Sequence, residues 1–159
     1  MRQITKFALF SSLLLIPLFS VSCQDPAFNK IPEKVEGFQG TTLVVFHASW
    51  CGYCIREMPL VKKLYADYSP CGLNIVGVNE DDGKSSMEKF VKSENIPFPV
   101  IFWSYELMNQ FGNPRAIPAN FLLDSAGNVR MRVLGPLREQ DVRIEIEKTL
   151  GEKAKNCHP

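Results

Sequence analysis

The feature that most constrains this chain is a Cys-x-x-Cys pair placed between a strand-like and a helix-like segment. Cys51-Gly52-Tyr53-Cys54 follows an apolar run at residues 43–46 and opens an amphipathic stretch. Two intervening residues in a first helical turn bring the two sulfurs close enough to bridge. A helix start also supplies unpaired N–H groups and the positive end of the dipole, which stabilise a thiolate on Cys51. Because a thiolate is the nucleophile of thiol–disulfide exchange, the pattern predicts a redox dithiol.

A structural zinc site is the main alternative for a Cys-x-x-Cys pair. Such a site needs four ligands, commonly two cysteine pairs or a cysteine pair with a histidine pair. This chain has a single pair, and its two histidines, His47 and His158, do not stand at zinc-finger spacing. The spacing therefore favours redox chemistry, and we expect no metal ion.

The first residues of the 159-residue chain have the pattern of a secretory signal. Arg2 and Lys6 precede a mostly apolar run, Phe7–Val21, which is shorter than the roughly 20 residues that span a bilayer. We predict a signal peptide over residues 1–22, a polar tether over 23–40 and one domain over 41–155. Export would place the protein where disulfides persist.

The cleavage site has two interpretations. The small residues Ser20-Val21-Ser22 suit a general signal peptidase. They also resemble a bacterial lipoprotein signal in which Cys23 becomes the lipidated first residue, although Ser20 stands where an aliphatic residue is expected. Both interpretations, secreted protein and lipid-anchored protein, stay open.

The net charge argues against a nucleic-acid partner. The sequence has 18 basic and 17 acidic residues. Removing the predicted signal peptide takes away two basic and no acidic side chains, which leaves 16 against 17. Nucleic-acid binding needs a basic patch, and this balance offers none.

Periodicity predicts an α/β order along the domain. Strands are expected at residues 43–48, 73–79, 99–102, 117–123 and 128–134, and helices at 52–68, 85–95, 105–111 and 137–150. The run Ser85–Glu88 has the form of a capping box for the second helix. Asp124–Gly127 supplies turn residues for a closing hairpin. The order predicts helices packed on a central mixed sheet.

From residue 43 to 150 the chain resembles the thioredoxin superfamily, and most of all its exported TlpA/ResA-type branch. The resemblance is carried by Trp50–Cys54, by Arg56–Pro59 in the helix that follows, by Ile117-Pro118, and by Phe121–Gly127 in the hairpin. The segment Asn79–Gly112 is similar to the central helix–strand insertion of the TlpA branch. The resemblance implies a thioredoxin-like fold.

It also implies roles for individual residues. Cys51 is expected to attack, Cys54 to resolve the mixed disulfide, and Trp50 to shield and shape the site. Pro118 is expected to be cis, facing the dithiol and presenting backbone to an extended substrate. Ile117 before that proline favours the reducing or isomerising direction.

The chain departs from the family pattern at several positions. Val45 stands where thioredoxins have a buried aspartate, and His47 where an aromatic residue is usual. His47 could modulate a thiol pKa or relay a proton, or it could be a neutral ring that packs like the aromatic it replaces. Gly52 and Tyr53 replace the glutamate of ResA-type sites. Cys-Gly-Tyr-Cys also occurs in DsbC-type isomerases, which dimerise through a separate domain; we see no such segment and expect a monomer.

Two further cysteines, Cys71 and Cys157, follow the first and last predicted helices. In the thioredoxin fold both helices run to the pole opposite the active site. The resemblance therefore favours a structural Cys71–Cys157 bridge, with two separate thiols as the alternative.

These observations predict an exported thiol–disulfide oxidoreductase of the periplasm or bacterial envelope. Its partners would be exported proteins with disulfides or thiols and a membrane electron donor or acceptor, and we expect no cofactor. The alternative is an envelope copper chaperone that binds Cu(I) through the same dithiol, since soft thiolates suit Cu(I).

Overall fold

The computed structural model describes residue 34 and residues 36–157. The predicted signal peptide, Cys23, most of the tether and His158 lie outside the described residues. The strands are β1 (Thr41–His47), β2 (Leu73–Asn79), β3 (Val100–Phe102), β4 (Ala119–Leu123) and β5 (Val129–Leu134). The helices are α1 (Gly52–Tyr68), α2 (Lys84–Ser93), α3 (Tyr105–Gln110) and α4 (Glu139–Leu150), with 3₁₀ turns at Ser69–Cys71 and Gly151–Asn156.

The strands form one mixed sheet in the order β3-β2-β1-β4-β5. β1 lies at its centre, parallel to β2 and antiparallel to β4, and all seven of its residues are buried. β3 continues the parallel side and β5 the antiparallel side. The expected mixed α/β sheet is confirmed.

The alternation of side chains along β1 divides the core between the two faces of the sheet. Leu43 and Val45 pack with residues of α1 and α4. Val44 and Phe46 pack on the other face, where the rings of Phe111 and Phe46 lie 5.0 Å apart in an edge-on arrangement. Helices therefore cover both faces, and the carboxyl end of β1 leads straight into α1.

The predicted capping box at Ser85–Glu88 is wrong. α2 begins at Lys84, and its N-cap is Gly83, which has an extended backbone and no side-chain cap. Ser85 therefore lies inside the first turn. β4 also begins later than expected, at Ala119 rather than residue 117. Pro118 has no N–H to donate to a strand ladder, which accounts for the later start.

Among residues 34 and 36–157, none of the helices has both the length and the apolar character that spanning a bilayer requires.

Candidate active site

The two motif cysteines meet at the start of α1. Cys51 is the N-cap residue, and the N–H of Cys54 donates to Cys51 Sγ at 3.2 Å. Their sulfurs are bonded at 2.10 Å, so the structure holds the pair in its oxidised form. When the pair is reduced, the same N–H and the helix dipole would stabilise a Cys51 thiolate.

The two cysteines differ in access. Cys51 is 7% exposed and borders a surface groove, whereas Cys54 is 2% exposed and packs beneath it with Ala48. An external disulfide approaching through the groove therefore meets the sulfur of Cys51 first.

The groove beside Cys51 has a volume of about 460 Å³ and is lined by both aromatic and charged side chains. Trp50 and Tyr53 are 66% and 61% exposed, so both rings form outer parts of its wall. Large exposed rings offer contact surface to a bound chain. The complete lining is Trp50, Cys51, Gly52, Tyr53, Glu80, Pro114, Arg115, Ala116 and Ile117.

The loop before β4 also lines the groove. The Ile117–Pro118 peptide bond is cis, and Ile117 O lies 3.6 Å from Cys51 Sγ. The N–H of Gly135 donates to Pro118 O at 2.8 Å, which ties the loop to the end of β5. The structure thus places Ile117 next to the dithiol, with the cis Pro118 following it in the chain.

A buried carboxyl group lies one helical turn beyond Cys54. Glu57 is 6% exposed, and its Oε1 accepts hydrogen bonds from the Leu137 N–H at 2.9 Å and from Asn120 Nδ2 at 3.1 Å. Burial raises the pKa of Glu57 to about 7, although the two hydrogen bonds lower it in part. A carboxyl group with such a pKa can accept and return a proton at neutral pH.

In the sequence, Glu57 stands within the Arg56–Pro59 stretch that carries the family resemblance, and no separate role is predicted for it. A signal for it was present, because Glu57 shares the buried face of α1 with Cys54, Met58 and Val61. An acidic residue among apolar ones at helical spacing is an unusual choice, since burying a carboxylate is costly.

His47 lies on the α1 face of the sheet and is fully buried. Its ring centroid is 5.5 Å from that of Phe90, and neither ring nitrogen has a hydrogen-bond partner among the described residues. Burial lowers the pKa of His47 to about 4, opposed in part by the charge of Asp81. The ring is therefore neutral at pH 7.

A family model described as the AhpC/TSA family matches residues 16–132 of this chain. The chain belongs to the AhpC/TSA family. The thiol-disulfide oxidoreductase ResA of Geobacillus kaustophilus is 31% identical over 102 residues, covering 64% of this chain and 59% of that protein. The sporulation thiol-disulfide oxidoreductase A of Bacillus subtilis is 27% identical over 117 residues, covering 71% and 68% respectively. This family member thus spans somewhat more than half the length of the ResA protein it matches.

Solved structures of similar shape include a thiol:disulfide interchange protein DsbE from Chlorobium tepidum, with a TM-score of 0.66 and 27% identity over 70% of this chain and 81% of that chain. StoA from Bacillus subtilis has a TM-score of 0.61 and 25% identity over 72% and 93%. The fold of this AhpC/TSA family member is therefore thioredoxin-like, and the resemblance found in the sequence is confirmed.

The loop that carries Trp50 and Cys51 is anchored by a second buried carboxylate in this family member. Asp81 Oδ1 accepts from the N–H of Ser49 at 2.8 Å and from its hydroxyl at 3.0 Å. Asp81 Oδ2 accepts from Asn79 Nδ2 at 3.2 Å. Asp81 therefore connects the end of β2 to the residue just before the motif.

The remaining cysteines lie where the two long helices end. Cys71 and Cys157 are joined by an S–S bond of 2.03 Å, with their Cα atoms 5.7 Å apart. Cys71 ends the 3₁₀ turn after α1, and Cys157 follows the turn after α4. The bridge connects these two turns at a distance from the groove.

Within the described part of the chain, no group of three or more histidine, cysteine, aspartate or glutamate side chains is arranged to hold a metal ion.

Proposed function

We propose that the protein is a thiol–disulfide oxidoreductase that reduces or isomerises disulfides of other proteins through Cys51 and Cys54. One observation carries the proposal: Cys51 Sγ caps α1 and borders the groove, while its partner Cys54 is buried behind it. Relatives named as thiol-disulfide oxidoreductases support the same activity.

In the reducing direction the reaction has two displacement steps. The thiolate of Cys51 attacks one sulfur of a substrate disulfide, which forms a mixed disulfide and breaks the substrate S–S bond. The departing substrate thiolate takes up a proton. Cys54 then attacks Cys51 Sγ, which forms the Cys51–Cys54 bond and releases the second substrate thiol. Two electrons pass from the dithiol to the substrate.

The second step requires Cys54 to lose its proton inside the protein. Glu57 is the buried base one helical turn away, and its Oε2 has no hydrogen-bond partner among the described residues. Because its pKa is raised to about 7 by burial, its carboxylate can take the Cys54 proton near neutral pH. Glu57 would return that proton when the dithiol is restored.

The substrate chain would lie in the groove between the aromatic wall and the loop at Pro118. Trp50 would shape one side, and the backbone of Ile117 would be the nearest polar group to an extended segment. Ile117 before the proline favours reduction or isomerisation. A membrane protein that supplies electrons would then restore the dithiol.

The N-terminal sequence supports action outside the cytosol. The apolar run that ends before Cys23 has the pattern of a signal peptide, and Cys23 is a candidate for lipidation. Expression in a bacterium followed by fractionation, with labelled palmitate and a Cys23→Ala variant, tests both points. Cytosolic protein would contradict export, and label retained by the variant would contradict lipidation at Cys23.

The activity is tested by reduction of insulin disulfides with dithiothreitol as the electron source. Cys51→Ser should abolish turnover, because the attacking sulfur is lost. Cys54→Ser should accumulate mixed disulfides that are visible on non-reducing gels, because nothing resolves them. A Cys71→Ser/Cys157→Ser variant is the matched control and should keep turning over. Full turnover by Cys51→Ser would overturn the proposal.

A further inference from the structure

One carboxyl group in the groove has no role in the proposed exchange reaction. Glu80 directly follows β2, and its N–H donates to His47 O at 2.8 Å, which anchors its backbone to the end of β1. Its side chain lines the same groove as Cys51, Trp50 and Arg115. Glu80 therefore lies where the residues flanking a substrate cysteine would pass.

The side chain of Glu80 receives fewer hydrogen bonds from the protein than that of the adjacent Asp81. Glu80 Oε1 is shielded from solvent and has no hydrogen-bond partner in the described part of the chain. The adjacent Asp81, in contrast, accepts hydrogen bonds from Ser49 and Asn79. Burial also raises the pKa of Glu80, to about 7. Burying one carboxyl oxygen without a donor is costly. Glu80 as a whole is only half-buried and lines the groove, so a cation of the bound chain at the groove-facing side of its carboxyl group would offset that cost.

We propose that Glu80 is a specificity residue that favours disulfides whose cysteine is flanked by lysine or arginine. The inference rests on the proposed exchange reaction at Cys51. A cationic side chain would donate to the Glu80 carboxylate in a charge-assisted hydrogen bond. Its aliphatic stem could lie against Trp50, whose ring is two-thirds exposed along the same groove.

Arg115 also lines the groove. Its positive charge would favour substrates in which an acidic residue flanks the cysteine. Its side chain is exposed, so water and salt screen its field. Glu80 is half-buried, and interactions of partly buried charges are screened much less. Glu80 should therefore decide the preference, while Arg115 reduces it.

The test uses two synthetic peptides that differ in one residue beside their single cysteine, lysine in one and glutamate in the other. Each cysteine is blocked as a mixed disulfide with a chromogenic thiol, and kcat/KM is measured on the purified protein. The ratio of the two values is the readout, because any change in the reactivity of Cys51 cancels in it. The ratio for the native protein should be about ten in favour of lysine, the size expected for one hydrogen bond to a charged group.

The variant Glu80→Gln should bring the ratio close to one. The matched control is Asp82→Asn, which removes an exposed carboxylate two residues further on that does not line this groove. That control should keep the ratio of the native protein. An unchanged ratio in Glu80→Gln, or equal loss in both variants, would overturn the assignment of Glu80.

The outcomes separate this inference from the proposed function. If the native protein reduces both peptides at equal rates, the specificity role of Glu80 is wrong and the exchange activity stands. If it reduces neither peptide, nor insulin, the exchange activity itself is wrong and the inference falls with it.

Discussion

The side chains of Glu57 and Asn120 meet in the interior, where Asn120 Nδ2 donates to Glu57 Oε1 at 3.1 Å. Glu57 belongs to the helix that begins with the dithiol, and Asn120 lies two residues after the cis Pro118. Asn120 Nδ2 also lies within hydrogen-bond distance of Gly135 O, at 3.2 Å. This contact connects the helix that begins with the dithiol to the strand that follows Pro118.

Glu57→Gln should change the pH dependence of stability. The pKa of Glu57 is about 7 in the folded protein against an ordinary 4.5, so the unfolded chain releases its proton first. Native stability therefore falls as pH rises from 4.5 to 7, by up to about 3 kcal/mol at 1.36 kcal/mol per pKa unit.

Glutamine keeps the acceptor oxygen but does not titrate. In urea unfolding between pH 4 and 8, the variant should gain stability relative to the native protein across that window. If the difference in unfolding free energy between the two proteins is the same at every pH from 4 to 8, Glu57 does not titrate in this way.

His47→Phe should reveal the opposite slope. The pKa of His47 is about 4 in the folded protein against an ordinary 6.5, so only the unfolded chain takes up a proton between those values. Native stability is therefore lost as pH falls from 6.5 to 4, again by up to about 3 kcal/mol. The variant should not show this pH-dependent loss of stability. Any change in packing energy caused by the substitution itself is the same at every pH. Parallel stability profiles for the two proteins below pH 6.5 would contradict the prediction. Because Glu57 and His47 act in opposite directions, only comparison with each variant separates them.

Gly77→Ala should destabilise the protein through His47. A Cβ atom at Gly77 would lie 2.8 Å from His47 Nε2 and 3.0 Å from Val100 Cγ2. Inserting a methyl group into such a packed site typically costs about 1–3 kcal/mol. The double variant Gly77→Ala/His47→Ala removes the nearer contact, so its loss should be smaller than the sum of the single losses. Chemical denaturation of all four proteins checks this, and strict additivity would show that the ring does not confine Gly77.

Cys71→Ser/Cys157→Ser should lower stability without removing the dithiol. The bridge joins residues separated by 86 positions, and closing a loop of this kind typically contributes about 2–4 kcal/mol. The urea midpoint should fall for the double variant, with the Cys51–Cys54 bond kept intact. Peptide mapping without reductant first establishes that the native protein carries the bridge. An unchanged midpoint would mean that the C-terminal turn needs no covalent attachment.

The local elements were predictable because their signals lie close together in the chain. The bounds 52–68 for α1 and 73–79 for β2 agree with the structure, since a helical apolar face and a run of branched residues are each readable within a short window. The capping box failed within the same range. Gly83 and Ser85 both suit a helix start, and local preference alone does not choose between two candidates two residues apart.

The sequence by itself determined the Cys-x-x-Cys pair and the order of strands and helices, and the resemblance to the thioredoxin superfamily pointed to the loop at Pro118. Only the tertiary structure decided what surrounds the dithiol. Glu57 meets Asn120 and Leu137 across 63 and 80 positions, and Asp81 meets Ser49 across 32. A local pattern holds no information about such partners, because they are set by how the sheet orders its strands. Burial follows from the same packing, and it is burial that raises the pKa of Glu57 and leaves His47 neutral.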